Sequence, residues 1–284
     1  MKIEARELTK IYGETVALDN VSLTLDEAKI YGLLGRNGAG KTTLLNLLTA
    51  KTHPTKGSII IDGEPVWEND KVLGNIFYMS EQNLYPASLR VWQVFKWTAE
   101  FYPGFDLLYA EELARRFELN TKKRVKGLST GYASIFKAIL ALASGAKILL
   151  FDEPVLGLDA NHRELLYREI VAHYSEHPKT IILSTHLIEE IADLLEDVII
   201  IQKGQIILKQ SVEELLASAH TVSGAASGVD QYIQGKQCIA TEQLQNFKSA
   251  TILGGALDQT LAKSLELELG KPELQKLFIG LTNS

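Results

Sequence analysis

Two stretches of this chain combine residue types that could do chemistry. The first is Gly35-Arg36-Asn37-Gly38-Ala39-Gly40-Lys41-Thr42-Thr43, which fits the spacing G-x-x-x-x-G-K-[ST]. Glycines let a backbone turn several N–H groups inward and form an anion nest. A helix expected from about Lys41 would point its positive end at the same place. Lys41 adds a formal charge suited to β- and γ-phosphates, and Thr42 offers a hydroxyl to Mg²⁺. The second stretch, Ile148-Leu149-Leu150-Phe151-Asp152-Glu153, is an apolar run that ends in two acids. In a parallel sheet those acids would stand at the strand tip beside a phosphate loop. Asp152 is then suited to hold Mg²⁺ and Glu153 to orient or deprotonate an attacking water. Alone, such a pair is more often a solvated turn; the glycine-rich loop in the same chain shifts the balance.

The elements that must position these groups follow from pattern. Residues 2–30 alternate apolar and polar with β-branched residues, as antiparallel strands do. Ile30–Leu34 is a short apolar run ahead of the glycine loop and reads as a buried strand. Further strands are expected at 58–62, 76–79, 147–152, 180–184 and around 197–209, with helices at 160–175 and 187–195. Strands alternating with helices imply an α/β fold with a mainly parallel sheet. Residues 84–144 change character and read as a helical insertion. Gln82 and His186 each follow an expected strand. Either would be unremarkable alone, and each gains weight only from standing near a γ-phosphate.

Composition limits the function classes. The chain has 284 residues, 46% hydrophobic and 23% charged, with a net charge of −6, so it lacks the basic footprint of a nucleic-acid binder. Cys238 is its one cysteine, which rules out an internal disulfide. No apolar run approaches the about 20 residues of a membrane-spanning helix, so a role at a membrane would come through a partner. The first residues read as a strand rather than a signal peptide.

Taken together, these motifs in this order resemble the ABC ATPases over about residues 1–210. The resemblance implies a P-loop NTPase core with an antiparallel N-terminal β-subdomain, a helical insertion at about 84–144, and ATP and Mg²⁺ as cofactors. It places Tyr12 where an aromatic stacks on adenine; taken by itself, Tyr12 reads as an ordinary strand tyrosine. It places Gln82 in the loop near Mg²⁺, and His186 as a switch histidine on the γ-phosphate. Asn37, Gly38, Ala39, Gly40, Lys41, Thr42 and Thr43, with Gly35, form the phosphate cradle. Leu128-Ser129-Thr130-Gly131-Tyr132 matches the family signature but departs from it at Thr130 and Tyr132. Ser129 and Gly131 keep the residue types that reach a phosphate. Val155-Leu156-Gly157-Leu158-Asp159 matches the D-loop, and Asp159 also suits the cap of the helix that follows.

The family pairs two subunits head to tail, so the resemblance implies a homodimer or a heterodimer with a related subunit. It further implies an integral membrane permease that docks the ATPase to the cytoplasmic face of the membrane, in a bacterial export-type system. A soluble ABC-type switch without transport is the alternative function; a P-loop kinase is disfavoured by the signature, Gln82 and His186 together. Nine aromatics fall between Tyr78 and Tyr109. On a helix near 89–102 they define one stripe of Val91, Phe95, Thr98 and Tyr102 and another of Val94, Trp97 and Phe101. Both stripes could be core, or the second could receive a helix from the permease. Lys122, Lys123, Arg124 and Lys126 read as a solvated basic loop. Residues 217–228 are small and polar, and 211–230 read as a linker. Residues 231–284 are expected to form a small α+β accessory domain of regulatory or dimer-stabilising type, closed by a helix at 273–281.

Overall fold

The computed structural model describes residues 1–255 and 257–283. The chain divides into two compact units: Met1–His186 with Ile201–Ile207, and Leu187–Ile200 with Leu208–Ser284.

The first unit opens with β1 (Ile3–Tyr12), β2 (Thr15–Leu25), β3 (Ile30–Leu34), α1 (Lys41–Leu48), β4 (Lys56–Ile61), β5 (Glu64–Pro65), α2 (Asp70–Leu73) and β6 (Ile76–Met79). Strands β1 and β2 form an antiparallel hairpin, in register from Ile3 with Leu25 to Tyr12 with Thr15. β4 lies antiparallel along the other edge of β1, which gives the order β2-β1-β4-β5. One face of this sheet is apolar: Ile3, Ala5, Leu8, Leu18, Val21, Leu23, Ile59 and Ile61 are all buried. The period-2 alternation in the sequence places them together.

The helical segment follows as α3 (Val91–Phe101), α4 (Leu107–Arg116), a single 3₁₀ turn at Val125–Gly127, and α5 (Thr130–Ala143). Then come β7 (Ile148–Asp152), α6 (Ala160–Glu176) and β8 (Thr180–Ser184). β3, β8, β7 and β6 pair in parallel in that order. Every residue of β3, β7 and β8 is buried. That is why they read as continuous apolar runs rather than alternating ones. The register sets Asp152 beside Ser184, so both strand tips emerge at one edge.

The second unit contains α7 (Ile188–Ile191), followed directly by a 3₁₀ turn at Ala192–Leu194 where a single helix over 187–195 was expected. β9 (Asp197–Gln202) and β10 (Gln205–Ser211) each lie partly in one unit and partly in the other. Beyond them are α8 (Val212–Ala217), β11 (Ala219–Ala225), α9 (Ala226–Tyr232), β12 (Cys238–Leu244), β13 (Phe247–Leu253), α10 (Gln259–Ser264), β14 (Glu268–Gly270) and α11 (Leu274–Asn283). The sheet is antiparallel with order β12-β13-β11-β14. It closes on Val222, Val229, Tyr232, Ala250, Ile252, Ala262 and Leu267.

Residues 211–230 therefore carry α8, β11 and α9 where a linker was expected. The small residues there serve close packing. Val222 and Val229 are fully buried, and a Cβ on Gly224 would come within 2.6 Å of Leu267 Cδ2. β11, at the heart of this region, is an inner strand of the sheet.

Candidate nucleotide site

The glycine-rich loop joins β3 to α1, strand to helix, as its spacing requires. Gly40 ends the loop with φ +114°, and a Cβ there would come within 2.7 Å of the Ala17 carbonyl, so a side chain would be both strained and blocked. No side chain caps α1. The first-turn amides that a capping residue would satisfy are thus left facing the cavity mouth. Lys41 is only 8% exposed, and its ammonium donates to the carbonyls of Gly35 at 2.6 Å and Arg36 at 3.3 Å. Burial pushes its pKa below the usual lysine value, opposed by the charges of Glu153 and Asp152. The lysine is therefore folded back on its own loop, and a phosphate would replace the two carbonyls as its partner.

Asp152 is 2% exposed and surrounded by donors. Its Oδ2 accepts from Thr42 Oγ1 at 2.8 Å and from the Tyr78 hydroxyl at 3.2 Å, and its Oδ1 accepts from Ser184 Oγ at 2.9 Å. Burial and the neighbouring Asp152 charge drive the Tyr78 phenol well above its ordinary pKa, so it remains a donor. A hydroxyl and a carboxylate already in contact beside a phosphate loop match the hard-oxygen preference of Mg²⁺, so these residues fit the metal.

Glu153 holds a left-handed backbone, φ +50°, a conformation that an ordinary residue occupies only when its surroundings impose it. Its N–H donates to Ser184 O at 2.8 Å. Its Oε2 accepts from Thr185 Oγ1 at 3.3 Å and lies 2.9 Å from His186 Nδ1. The Glu153 side chain is 15% exposed and that of His186 is 59% exposed. The pair thus reaches from the strand ends into an open cavity.

That cavity has a volume of about 480 Å³ and is lined by Thr15–Ala17, Asn37–Thr43, Glu81, Asp152, Glu153, Leu156 and His186. It brings together every expected loop residue from Asn37 onward with the two acids and the histidine. Gln82, expected at the metal, does not line the cavity; its neighbour Glu81 does. The turn after β6 presents the earlier residue because Ser80 is buried and its Oγ donates to the Gln82 carbonyl at 2.9 Å. Tyr12 also lies outside the lining, 46% exposed, with the Lys10 ammonium 4.7 Å from its ring centroid. It pairs across the hairpin with Thr15, which does line the cavity.

The signature residues stand elsewhere. Ser129 caps α5, its Oγ accepting from Tyr132 N at 3.3 Å, and neither Ser129 nor Gly131 lines the cavity. Instead this turn interlocks with the D-loop. A Cβ on Gly131 would stand 2.4 Å from Gly157 O, and Ser134 Oγ donates to Leu156 O at 2.8 Å. Of the two departures from the family signature, Thr130 meets the D-loop and Tyr132 meets the helix that follows it. Thr130 Cγ2 lies where a Cβ on Gly157 would meet it at 3.0 Å, and the Tyr132 ring meets His162 edge-on at 6.1 Å. Asp159 caps α6 by accepting from His162 N at 2.9 Å. That bond, together with the His162 ring, holds its carboxyl below the usual aspartate range.

Sequence reasoning passed over Glu81, Tyr78 and Ser184. For Ser184 a signal existed: the end of one buried apolar run beside the end of another in a parallel sheet. Tyr78 had no such signal, because its contact depends on the register of β6 and β7.

On the helical segment, Val91, Val94, Phe95 and Thr98 are buried, whereas Trp97 and Phe101 are 45% and 68% exposed. Val94 therefore joins the core as well as the second stripe. Trp97 and Phe101, ring centroids 6.2 Å apart, border a groove of about 260 Å³ that also includes Leu84, Pro86 and Tyr102.

Known proteins resemble this chain in sequence and in fold. The ABC transporter family model matches residues 18–156. The chain is 33% identical over 213 residues to the ABC transporter ATP-binding protein YtrB of Bacillus subtilis, covering 75% of this chain and 73% of that one. It is 28% identical over 286 residues to an uncharacterised ABC transporter ATP-binding protein, YcbN of the same organism, covering 98% and 89%. A dimeric structure of MJ0796, a bacterial ABC transporter cassette, superposes with a TM-score of 0.67 at 25% identity, covering 74% of this chain and 98% of that one. The chain belongs to the ABC transporter family as one of its ATPases.

Proposed function

We propose that this chain is the ATP-hydrolysing subunit of an ABC transporter, driving a separate membrane permease by closing head to tail with a second cassette over ATP. One observation carries the pairing. The chain holds a complete lysine-bearing phosphate loop with its acids, yet its second phosphate-type helix start, at Ser129, does not line that cavity. A second copy, or a related subunit, would bring its own Ser129 and Gly131 to the open mouth.

Within this reading the loop amides and Lys41 bind the β- and γ-phosphates. Thr42 and Asp152 would hold Mg²⁺, which, when bound, neutralises charge on the phosphate oxygens. Glu153 takes the proton of the attacking water, and His186, in contact with Glu153, holds the γ-phosphate side of the cavity. Tyr12 offers its ring to the base. Asp159 lies in the loop that follows Glu153 and meets the partner cassette. Hydrolysis removes the contact that joins the cassettes, so binding and turnover become closing and opening.

Among the described residues no helix is long and apolar enough to cross a membrane, and the reading assigns the translocation path to the permease. The groove beside Trp97 and Phe101 is the surface offered to a short permease helix, which would hold the chain at the cytoplasmic face of the membrane.

The test uses the full chain with Glu153→Gln. Loss of a general base lowers turnover by about 10²- to 10⁴-fold, and the variant should run as a dimer on gel filtration with ATP and as a monomer without it. Affinity capture of the same variant from gently solubilised membranes should recover a multi-span membrane protein in near-equal amount. Normal turnover with monomer only would reject the assigned base and the dimer. Repeated recovery of soluble partners alone would move the chain to a switch that controls a non-transport complex.

A further inference from the structure

Lys137 plays no part in the chemistry above, yet it is among the most constrained cations in the chain. It lies in the middle of α5 and is 5% exposed, in a run where Ile135 to Ala143 are all buried. A buried ammonium is tolerated only when its donors are satisfied. Here it donates to the carbonyl of Ser80 at 2.7 Å and of Glu81 at 2.6 Å. Those two carbonyls belong to the turn that leaves β6, and Glu81 of that turn lines the nucleotide cavity. The turn is closed further by Ser80 Oγ on Gln82 O.

The same helix also holds the other flank of the cavity, through Ser134 Oγ on Leu156 O, and Leu156 is itself a lining residue. At its N-terminus α5 carries Ser129. One rigid helix thus begins with the signature serine and, one to two turns on, bonds both loops that border the chain's own nucleotide site.

We infer that Lys137 is a positioning residue for ATP hydrolysis: its ammonium clamps the Ser80–Glu81 turn to α5 and so keeps Glu81 in the cavity. Displacement of α5 at Ser129 is then passed to Glu81 through two charge-assisted hydrogen bonds. The clamp concerns one chain alone, while the transmission from Ser129 rests on the head-to-tail reading proposed above. A purely structural lysine would instead be replaceable by an apolar side chain of similar length, as buried charges often are.

A double-substitution cycle on the full chain separates the two. Lys137→Met is made with Glu81 present and again with Glu81→Ala, and kcat, KM for ATP and the melting temperature are measured for each. A displaced cavity group costs on the order of tenfold or more in rate, so Lys137→Met should lower kcat by about that factor while KM for ATP moves by less than about threefold. With Glu81→Ala already in place, the same substitution should cost less than about twofold, because coupled residues are not additive. Lys137→Arg, which keeps a cation at the same helix position, should recover part of the rate.

An unchanged kcat in Lys137→Met, or an equal loss in both backgrounds, would overturn the inference. Should Lys137→Met melt below the assay temperature, Lys137→Gln, which keeps one donor, is read by the same criteria. Wild-type chain that hydrolysed no ATP would remove both this inference and the ATPase reading, whereas ATP hydrolysis indifferent to Lys137 removes only the inference.

Discussion

α1 and α5 start in the same unit with the same chemical potential, a turn of unpaired N–H groups and a positive dipole end, but they are finished differently. At α1 the residue before the helix is Gly40, which provides no cap, and the first helical residue is the buried Lys41. At α5 the residue before the helix is Ser129, whose hydroxyl already accepts from Tyr132 N, and no lysine or arginine stands in the first turn. The first helix start has no side-chain cap; the second has one of its amides satisfied by its own side chain. Under the head-to-tail arrangement proposed above, the difference assigns ATP binding in the single chain to the first start and leaves the second for nucleotide presented by a second cassette. A self-capped start costs nothing while it waits, and an uncapped, lysine-backed start gains most from a phosphate.

The strongest way to break the comparison is Lys41→Ala. Charge-assisted hydrogen bonds contribute about 1.5–3 kcal/mol, and each 1.4 kcal/mol is tenfold in affinity, so ATP should bind the variant about 10- to 100-fold more weakly, with hydrolysis lost. Equilibrium binding of a fluorescent ATP analogue measures it. Binding within twofold of wild type would mean that the loop amides alone hold the phosphates and that the two helix starts are equivalent.

Gly131→Ala should have the next largest effect and acts on the other side of the contrast. A Cβ would stand 2.4 Å from Gly157 O, so the signature turn and the D-loop must separate, and such overpacking costs about 1–3 kcal/mol. Thermal unfolding without nucleotide should report the loss, and ATP-dependent dimer formation by Glu153→Gln should weaken when Gly131→Ala is added. ATP affinity of the monomer should stay near that of wild type, because Gly131 does not line the cavity.

Much of this site was legible beforehand, for reasons that can be named. Ile30–Leu34, Ile76–Met79 and Thr180–Ser184 appear as strands at the bounds their apolar runs suggested, because a strand buried on both faces writes itself as an unbroken hydrophobic run. The glycine loop was readable because Gly40 has a backbone that other residues resist. The acids were readable because Asp152 and Glu153 end such a run.

What escaped depends on contacts between distant parts of the chain. Tyr78 and Asp152 meet across 74 positions, and only the register of β6 against β7 brings them together. Glu81 rather than Gln82 lines the cavity, on a turn that a buried serine and a lysine from a distant helix both bond; a motif fixes neighbourhood, and turn geometry decides which neighbour meets the cavity. Residues 211–230 misled by composition, since small residues mark close packing as readily as flexibility. In β11 and α9 they pack beneath Leu267.

The finest test separates the two roles that Ser129 combines. As a cap, Ser129 satisfies an α5 amide, and Ser129→Ala should cost about 1 kcal/mol of stability. As a phosphate ligand, its loss should weaken nucleotide-driven dimerisation. Both effects have the same sign, so alanine alone cannot tell them apart. Ser129→Asp can. Aspartate caps as well as serine and its charge favours the dipole, so the melting temperature of the isolated chain should hold or rise slightly. The same charge would face the phosphates of the second cassette's ATP, and ATP-dependent dimerisation should fall further than in Ser129→Ala. A stable Ser129→Asp chain that dimerises normally on ATP would show that α5 starts a helix and nothing more.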